Sequence, residues 1–192
     1  VRAAKDELRQ RMRDLRYALT SDEVARRSAL AAPHVLALPE VAAARRVALF
    51  AAVRKEIDTA PIHDALRARG VETLYPRVEG GGLAFAGVAE RAELLAGPLG
   101  IPAPPTAAPS AAATEIDVFV IPGLAFDELG ERLGWGRGHY DRALASAPRA
   151  LRVGYAYDFQ VVPVVPVGAD DARMDVVVTC RGSRRIATER PR

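Results

Sequence analysis

Glu115-Ile116-Asp117-Val118-Phe119-Val120-Ile121-Pro122-Gly123 is the run whose reading decides the fold. It is short, mostly apolar and rich in β-branched residues, and Pro122-Gly123 stops it. Such a run reads as a strand buried on both faces, the kind that sits at the centre of a parallel sheet. Upstream, Arg46 to Ala51 is a second buried-strand candidate. Thr59-Ala60-Pro61 opens a helix that runs to Arg69, and Gly70 ends it. Val71 to Tyr75 is the next strand. A helix between two apolar strands predicts a parallel crossover, hence an α/β fold with a mainly parallel central sheet flanked by helices.

Further from the central run, Leu8, Met12, Leu15 and Leu19 recur at helical spacing and predict a helix over Lys5 to Leu19. Thr20 and Glu23 form a capping box that starts a second helix to about Ala37. Pro39 interrupts it, and Glu40 to Ala44 reads as a turn. Gly80 to Gly82 is a turn before a short strand, Leu83 to Phe85. Pro98 to Ala113 is rich in Pro and Ala and reads as a long connection. On the other side, a helix from about Gly138 to Ala145 precedes strands at Leu151 to Ala156 and Met174 to Thr179. The expectation is one compact α/β domain, 1–192, with lobes 1–97 and 115–192 allowed on either side of that connection.

Composition bounds the class. The chain has 192 residues, of which 49% are hydrophobic and 27% charged, enough for a packed core and too apolar for long disorder. The single Cys180 cannot form an internal bridge, which fits a reducing, cytoplasmic setting. Val1 to Arg13 is charged rather than signal-like, and no apolar run reaches the ~18 residues that span a bilayer. A net charge of +3 sets 27 basic against 24 acidic residues, so a nucleic-acid partner is not expected. Only Arg181 to Arg192 is locally basic, and it reads as a solvated end. Lys5 and Lys55 are the only lysines. Arg does not replace Lys where a compact ammonium is needed.

The chemistry points to Arg132-Leu133-Gly134-Trp135-Gly136-Arg137-Gly138-His139-Tyr140-Asp141, after the strand end. Its G-x-G-x-G spacing lets backbone N–H groups approach phosphate oxygens, and the helix start adds positive potential. Arg137 has the planar fork that suits phosphate. Asp141 offers hard oxygen ligands to Mg²⁺. The loop is neither a Walker A loop nor a Rossmann fingerprint. A glycine-rich surface turn is the plain alternative.

Together with Lys5-Asp6-Glu7-Leu8-Arg9, Lys55-Glu56-Ile57-Asp58-Thr59, Tyr75-Pro76-Arg77-Val78, Gly154-Tyr155-Ala156, Gln160, Val165-Pro166, Asp171 and Asp175, this loop resembles the 5-formyltetrahydrofolate cyclo-ligase family. The marks run in order from Lys5 to Thr179. The resemblance implies a NagB/RpiA/CoA-transferase-like three-layer fold. It also implies ATP- and Mg²⁺-dependent closure of 5-formyltetrahydrofolate to 5,10-methenyltetrahydrofolate. In that scheme the formyl oxygen takes the γ-phosphoryl group, N10 attacks the activated carbon, and phosphate leaves.

The same resemblance assigns Lys5, Arg9 and residues Arg132 to Tyr140 to ATP. It points to Arg137 and Tyr140 as the catalytic residues. Glu56, Trp135 and His139 go to the folate, Glu56 by accepting two N–H donors from the pterin edge, and Asp141 and Asp171 to Mg²⁺. His139 stands where many relatives have Tyr. Ala103, and Ala169 after Gly168, stand where relatives often carry acidic or amide residues. The expected partners are ATP and a reduced folate, the expected state a monomer. The competing readings are an ATP-using enzyme on another N-formyl or pterin-like substrate, and a non-catalytic folate- or nucleotide-binding protein.

Overall fold

Eight strands form one sheet in the computed structural model, which describes residues 2–166, 168 and 171–187. Ala169, Asp170 and the end of the basic tail from Thr188 lie outside the described residues. In chain order the elements are α1 (Arg2–Tyr17), α2 (Ser21–Leu36), α3 (Pro39–Ala43), β1 (Arg46–Ala48), α4 (Ala60–Ala68), β2 (Glu72–Glu79), β3 (Gly82–Gly87), β4 (Leu95–Ala96), β5 (Pro102–Ala103), β6 (Ser110–Ala111), β7 (Val118–Ile121), β8 (Ala125–Phe126), β9 (Arg132–Leu133), α5 (His139–Ala145), β10 (Leu151–Tyr155), β11 (Val176–Thr179) and β12 (Gly182–Arg185). The strand order is β12-β11-β10-β7-β1-β2-β3-β6. β11, β10, β7, β1 and β2 run parallel. β12 closes one edge antiparallel, and β3 with β6 closes the other.

The central run behaves as its composition predicts. All four residues of β7 are buried. Side chains alternate across a strand, so its two halves feed two cores. Val118 and Val120 join Val47, Val153, Val176 and Val178 under α2 and α4, where Ala31, Val35, Ile62 and Leu66 meet them. Phe119 and Ile121 face the other way with Ala48, Leu74 and Val177, against Leu144 of α5. Three layers result, helix, sheet and helix. Full burial of a side chain such as Ile62 or Leu66 contributes about 1.5–3 kcal/mol.

Several boundaries differ from the pattern-based reading, each for a tertiary reason. β1 ends at Ala48 instead of Ala51. The Leu49 N–H still reaches Leu74 O at 2.8 Å, but Phe50 and Ala51 then leave the sheet and line a cleft. Glu40 to Ala44 belongs mostly to a helix, with Pro39 in its first turn. β2 continues through Pro76, because β1 pairs only with Glu72 to Leu74 and β3 alone pairs with the rest. A proline is tolerated in a strand where its missing N–H faces no neighbour. The Pro98 to Ala113 connection carries paired strands: β5 joins β4, and β6 joins β3. Arg77 secures it by donating to the carbonyls of Pro105 and Ala108 and to Ser110 Oγ. Strands from both sides of this connection share the one large sheet.

Candidate active site

At the carboxyl ends of β1, β2 and β7, where open α/β sheets bind ligands, lies a cleft of about 750 Å³. Lys5 and Arg9 of α1, Glu56, the whole run Arg132 to Asp141, and Asp171 line it. These are all the residues singled out from the sequence, drawn from four separate segments. A second hollow, about 800 Å³, lies at the amino ends of the strands. Its charged groups hold structure: Glu40 pairs with Arg185 at 2.6 Å, and Asp117 accepts the N–H groups of Arg45 and Arg46.

The glycine-rich loop is shaped by its own backbone. Gly136 and Gly138 have φ of 92° and 63°, left-handed values that disfavour any Cβ. Gly138 turns the chain directly into α5. Arg9 Nε donates to Gly134 O at 3.1 Å, which fixes the loop to α1. Gln160 ties the chain between β7 and β8 by donating to the Gly123 and Leu124 carbonyls. Arg132 is buried, and its Nη2 donates to Asp141 Oδ1 at 2.7 Å. Its guanidinium also lies over the Tyr140 ring. The Tyr140 hydroxyl is buried and has no hydrogen-bond partner among the described residues; burial pushes its pKa up, so it stays a phenol. His139 is held below its ordinary pKa by burial and by the Arg142 and Arg137 charges, and is neutral at pH 7. Arg137 itself is exposed at the cleft. Arg137→Ala is therefore expected to leave thermal stability within about 0.5 kcal/mol of the parent. On the expectation that this loop holds phosphates, it should weaken nucleotide binding at least about tenfold, the scale of a lost charged hydrogen bond. Calorimetric titration with a non-hydrolysable ATP analogue, beside a thermal melt, checks both.

The two aspartates occupy one wall. Asp171 Oδ2 accepts from Lys5 Nζ at 2.7 Å and from Gly168 N at 2.8 Å. Burial works against its charge, but these bonds with the Lys5 and Arg132 charges outweigh burial and hold it below the usual carboxylate range. The N–H of Ala172, the next residue, donates to Asp141 Oδ1 at 3.2 Å, which joins the two segments. Among the described residues no group of three His, Cys, Asp or Glu is set to hold a metal alone. Two carboxylates are nonetheless a fitting protein share for Mg²⁺, which takes one or two carboxylates and completes its shell with phosphate oxygens and water.

Glu56 is buried at the same cleft. Its Oε2 accepts the Val53 N–H at 3.1 Å, and its Oε1 accepts Trp135 Nε1 and Arg16 Nη1, each at 3.3 Å. Burial raises the pKa of Glu56 more than these partners lower it, and burial likewise lowers that of Arg16. The turn before Glu56 is strained: Arg54 and Lys55 have φ of 50° and 57°. Lys55 is exposed and holds that turn by donating to the Tyr17 and Leu19 carbonyls at the end of α1.

Sequence reading passed over Arg16, Arg13, Arg54 and Phe50. The last three line the cleft, and Arg16 backs it through Glu56. Arg16 lies seven residues after Arg9, about two turns on and so on the same face of α1, but spacing alone does not separate it from the solvated arginines of that helix. Ala103 lines the cleft, so the departure that the resemblance suggests there falls at the site itself.

Comparisons with known proteins bear on the family and the fold. A family model described as the 5-formyltetrahydrofolate cyclo-ligase family matches residues 1–180. A 5-formyltetrahydrofolate cyclo-ligase of Escherichia coli (strain K12) is 33% identical over 88% of this chain and 96% of its own. The NMR structure of Aquifex aeolicus 5,10-methenyltetrahydrofolate synthetase is 34% identical, covers 98% of this chain and 95% of its own, and superposes with a TM-score of 0.85. The Mycoplasma pneumoniae 5,10-methenyltetrahydrofolate synthetase structure, 22% identical, shares the fold with a TM-score of 0.76 over 92% of this chain and 98% of its own.

Proposed function

The chain belongs to the 5-formyltetrahydrofolate cyclo-ligase family and is an enzyme of that kind; on that premise we propose that it closes 5-formyltetrahydrofolate to 5,10-methenyltetrahydrofolate at the expense of ATP, with Mg²⁺. The observation that carries the ATP-dependent reading is the contact between Trp135 and Glu56. It joins a cation-lined glycine loop, suited to phosphates, to a buried carboxylate suited to the pterin N–H edge. Two ligands bound so would meet in one cleft.

The chemistry follows from that juxtaposition. An amide-like formyl oxygen is a poor leaving group, and taking the γ-phosphoryl group of ATP makes it a good one. N10 then attacks the formyl carbon, and phosphate departs with the oxygen. The protein mainly positions both partners and offsets charge on the transferring group. Lys5, Arg9 and Arg137 supply cations. Arg132 is buried against Asp141 and steadies the loop. The Tyr140 phenol keeps its proton and offers it as a hydrogen bond. Asp141 and Asp171 would hold Mg²⁺, which when bound neutralises phosphate charge. A monomeric, single-domain enzyme is part of this reading. No helix among the described residues is long and apolar enough to cross a membrane; separately, the single Cys180 fits a reducing setting such as the cytoplasm.

The test is spectroscopic. Purified protein with 5-formyltetrahydrofolate, ATP and Mg²⁺ should develop methenyltetrahydrofolate absorbance, with one ADP formed per product. Absorbance growth without ATP would remove the nucleotide from the scheme. A folded enzyme that spends no ATP on this folate but does on another N-formyl pterin would shift the substrate.

A further inference from the structure

We propose that Arg16 is a positioning residue that ties the folate-side carboxylate Glu56 to the nucleotide loop through Trp135, so that folate and nucleotide bind cooperatively. The proposal rests on the reading of the cleft given above. Arg16 is 1% exposed and belongs to the same helix as Lys5 and Arg9. It lies eleven residues after Lys5, three helical turns and about 16 Å along the axis, so it shares the face of Lys5. α1 is thus one rod with the nucleotide-side cations near its beginning and Arg16 near its end. Lys55 anchors that end, one residue before Glu56.

The contacts converge on a single oxygen. Arg16 Nη1 and Trp135 Nε1 both donate to Glu56 Oε1. The Arg16 guanidinium also lies 5.2 Å from the centre of the Trp135 ring, within range of a cation–π contact. Trp135 belongs to the loop that Arg9 fastens at Gly134. Any shift of that loop on taking up phosphates moves the indole relative to both Arg16 and the carboxylate. The Nε and Nη2 atoms of Arg16 are buried without a hydrogen-bond partner among the described residues. A guanidinium held by one bond and one ring, with two donors unspent, follows the loop more readily than one locked on all sides. The position of Glu56 then depends on loop occupancy, which is a coupling between two sites.

The experiment is calorimetric titration of 5-formyltetrahydrofolate, with and without a saturating non-hydrolysable ATP analogue and Mg²⁺. In the parent protein the analogue should raise folate affinity at least about fivefold, the lower end of ordinary coupling. In Arg16→Met that ratio should fall towards one, while the analogue's own affinity changes by less than about twofold. Trp135→Leu alters a half-exposed side chain, so it keeps the fold should Arg16→Met lose it, and it should lose the same ratio. A merely structural Arg16 would lower the melting temperature and leave the ratio intact. An unchanged ratio in folded Arg16→Met or in Trp135→Leu, or a ratio of one in the parent, overturns the proposal. A parent that forms no methenyl product overturns the functional reading instead, and the absorbance assay separates the two.

Discussion

Asp141→Asn is expected to lower turnover at least about 100-fold, while its cost in stability stays near 1–3 kcal/mol. Asparagine matches aspartate in shape and keeps an oxygen to accept from Arg132 Nη2 and from the Ala172 N–H. What it removes is the negative charge. Arg132 is then a buried cation without its counter-ion. Breaking a fully buried pair costs about 3–5 kcal/mol, and the open side of the cleft near Asp141 reduces that figure. The catalytic loss has another origin. Lys5 and Arg132 each hold one aspartate. In the proposed scheme nucleotide phosphates would exchange with the carboxylates as partners of these cations, and Asp141 and Asp171 would hold Mg²⁺. A neutral amide in place of the Asp141 carboxylate cannot take part in that exchange as an anion. Turnover measured across a Mg²⁺ titration, with a thermal melt in parallel, checks this. A loss of turnover that only follows the loss of folded protein would overturn the metal role.

How much of this was legible in the sequence depends on whether local pattern or assembly decided the feature. β7 was readable because its burial on both faces requires the continuous apolar run seen at Val118 to Ile121. The capping box of Thr20 and Glu23 was readable because both bonds are local, and both form. The end of β1 was not readable: Phe50 is as strand-like as Val47 and Ala51 continues the apolar run, yet both leave the sheet to line the cleft. β12 and β6 are edge strands of small or charged residues, and nothing in Gly182 to Arg185 announces a strand until β11 offers its edge. At the site, the loop residues and Lys5 with Arg9 were recognisable by spacing and resemblance. Arg16 was hidden because an arginine on an Arg-rich amphipathic helix reads as solvated. Its burial arises only when α1 lies against the Glu56 turn, a contact between residues 40 apart.

That same contact sets the second large effect. Glu56→Gln is expected to weaken 5-formyltetrahydrofolate binding by about 10- to 100-fold, since a charge-assisted bond contributes about 1.5–3 kcal/mol. Nucleotide affinity measured alone should change little. The substitution should also destabilise the protein by about 3 kcal/mol, because it leaves the Arg16 guanidinium buried and unpaired. The glutamine side chain keeps one acceptor for the Val53 N–H or the indole, but its amide N–H₂ then confronts another donor. The two effects have separate physical sources, and a second substitution separates them. Replacing a buried ion pair by uncharged groups of similar volume is often neutral, so Arg16→Met added to Glu56→Gln should restore most of the lost stability. It should restore none of the folate affinity, because the carboxylate proposed to meet the pterin edge is still absent. Denaturant unfolding and folate titration on the four combinations read both quantities. Folate affinity that returned with stability would assign Glu56 a purely structural role.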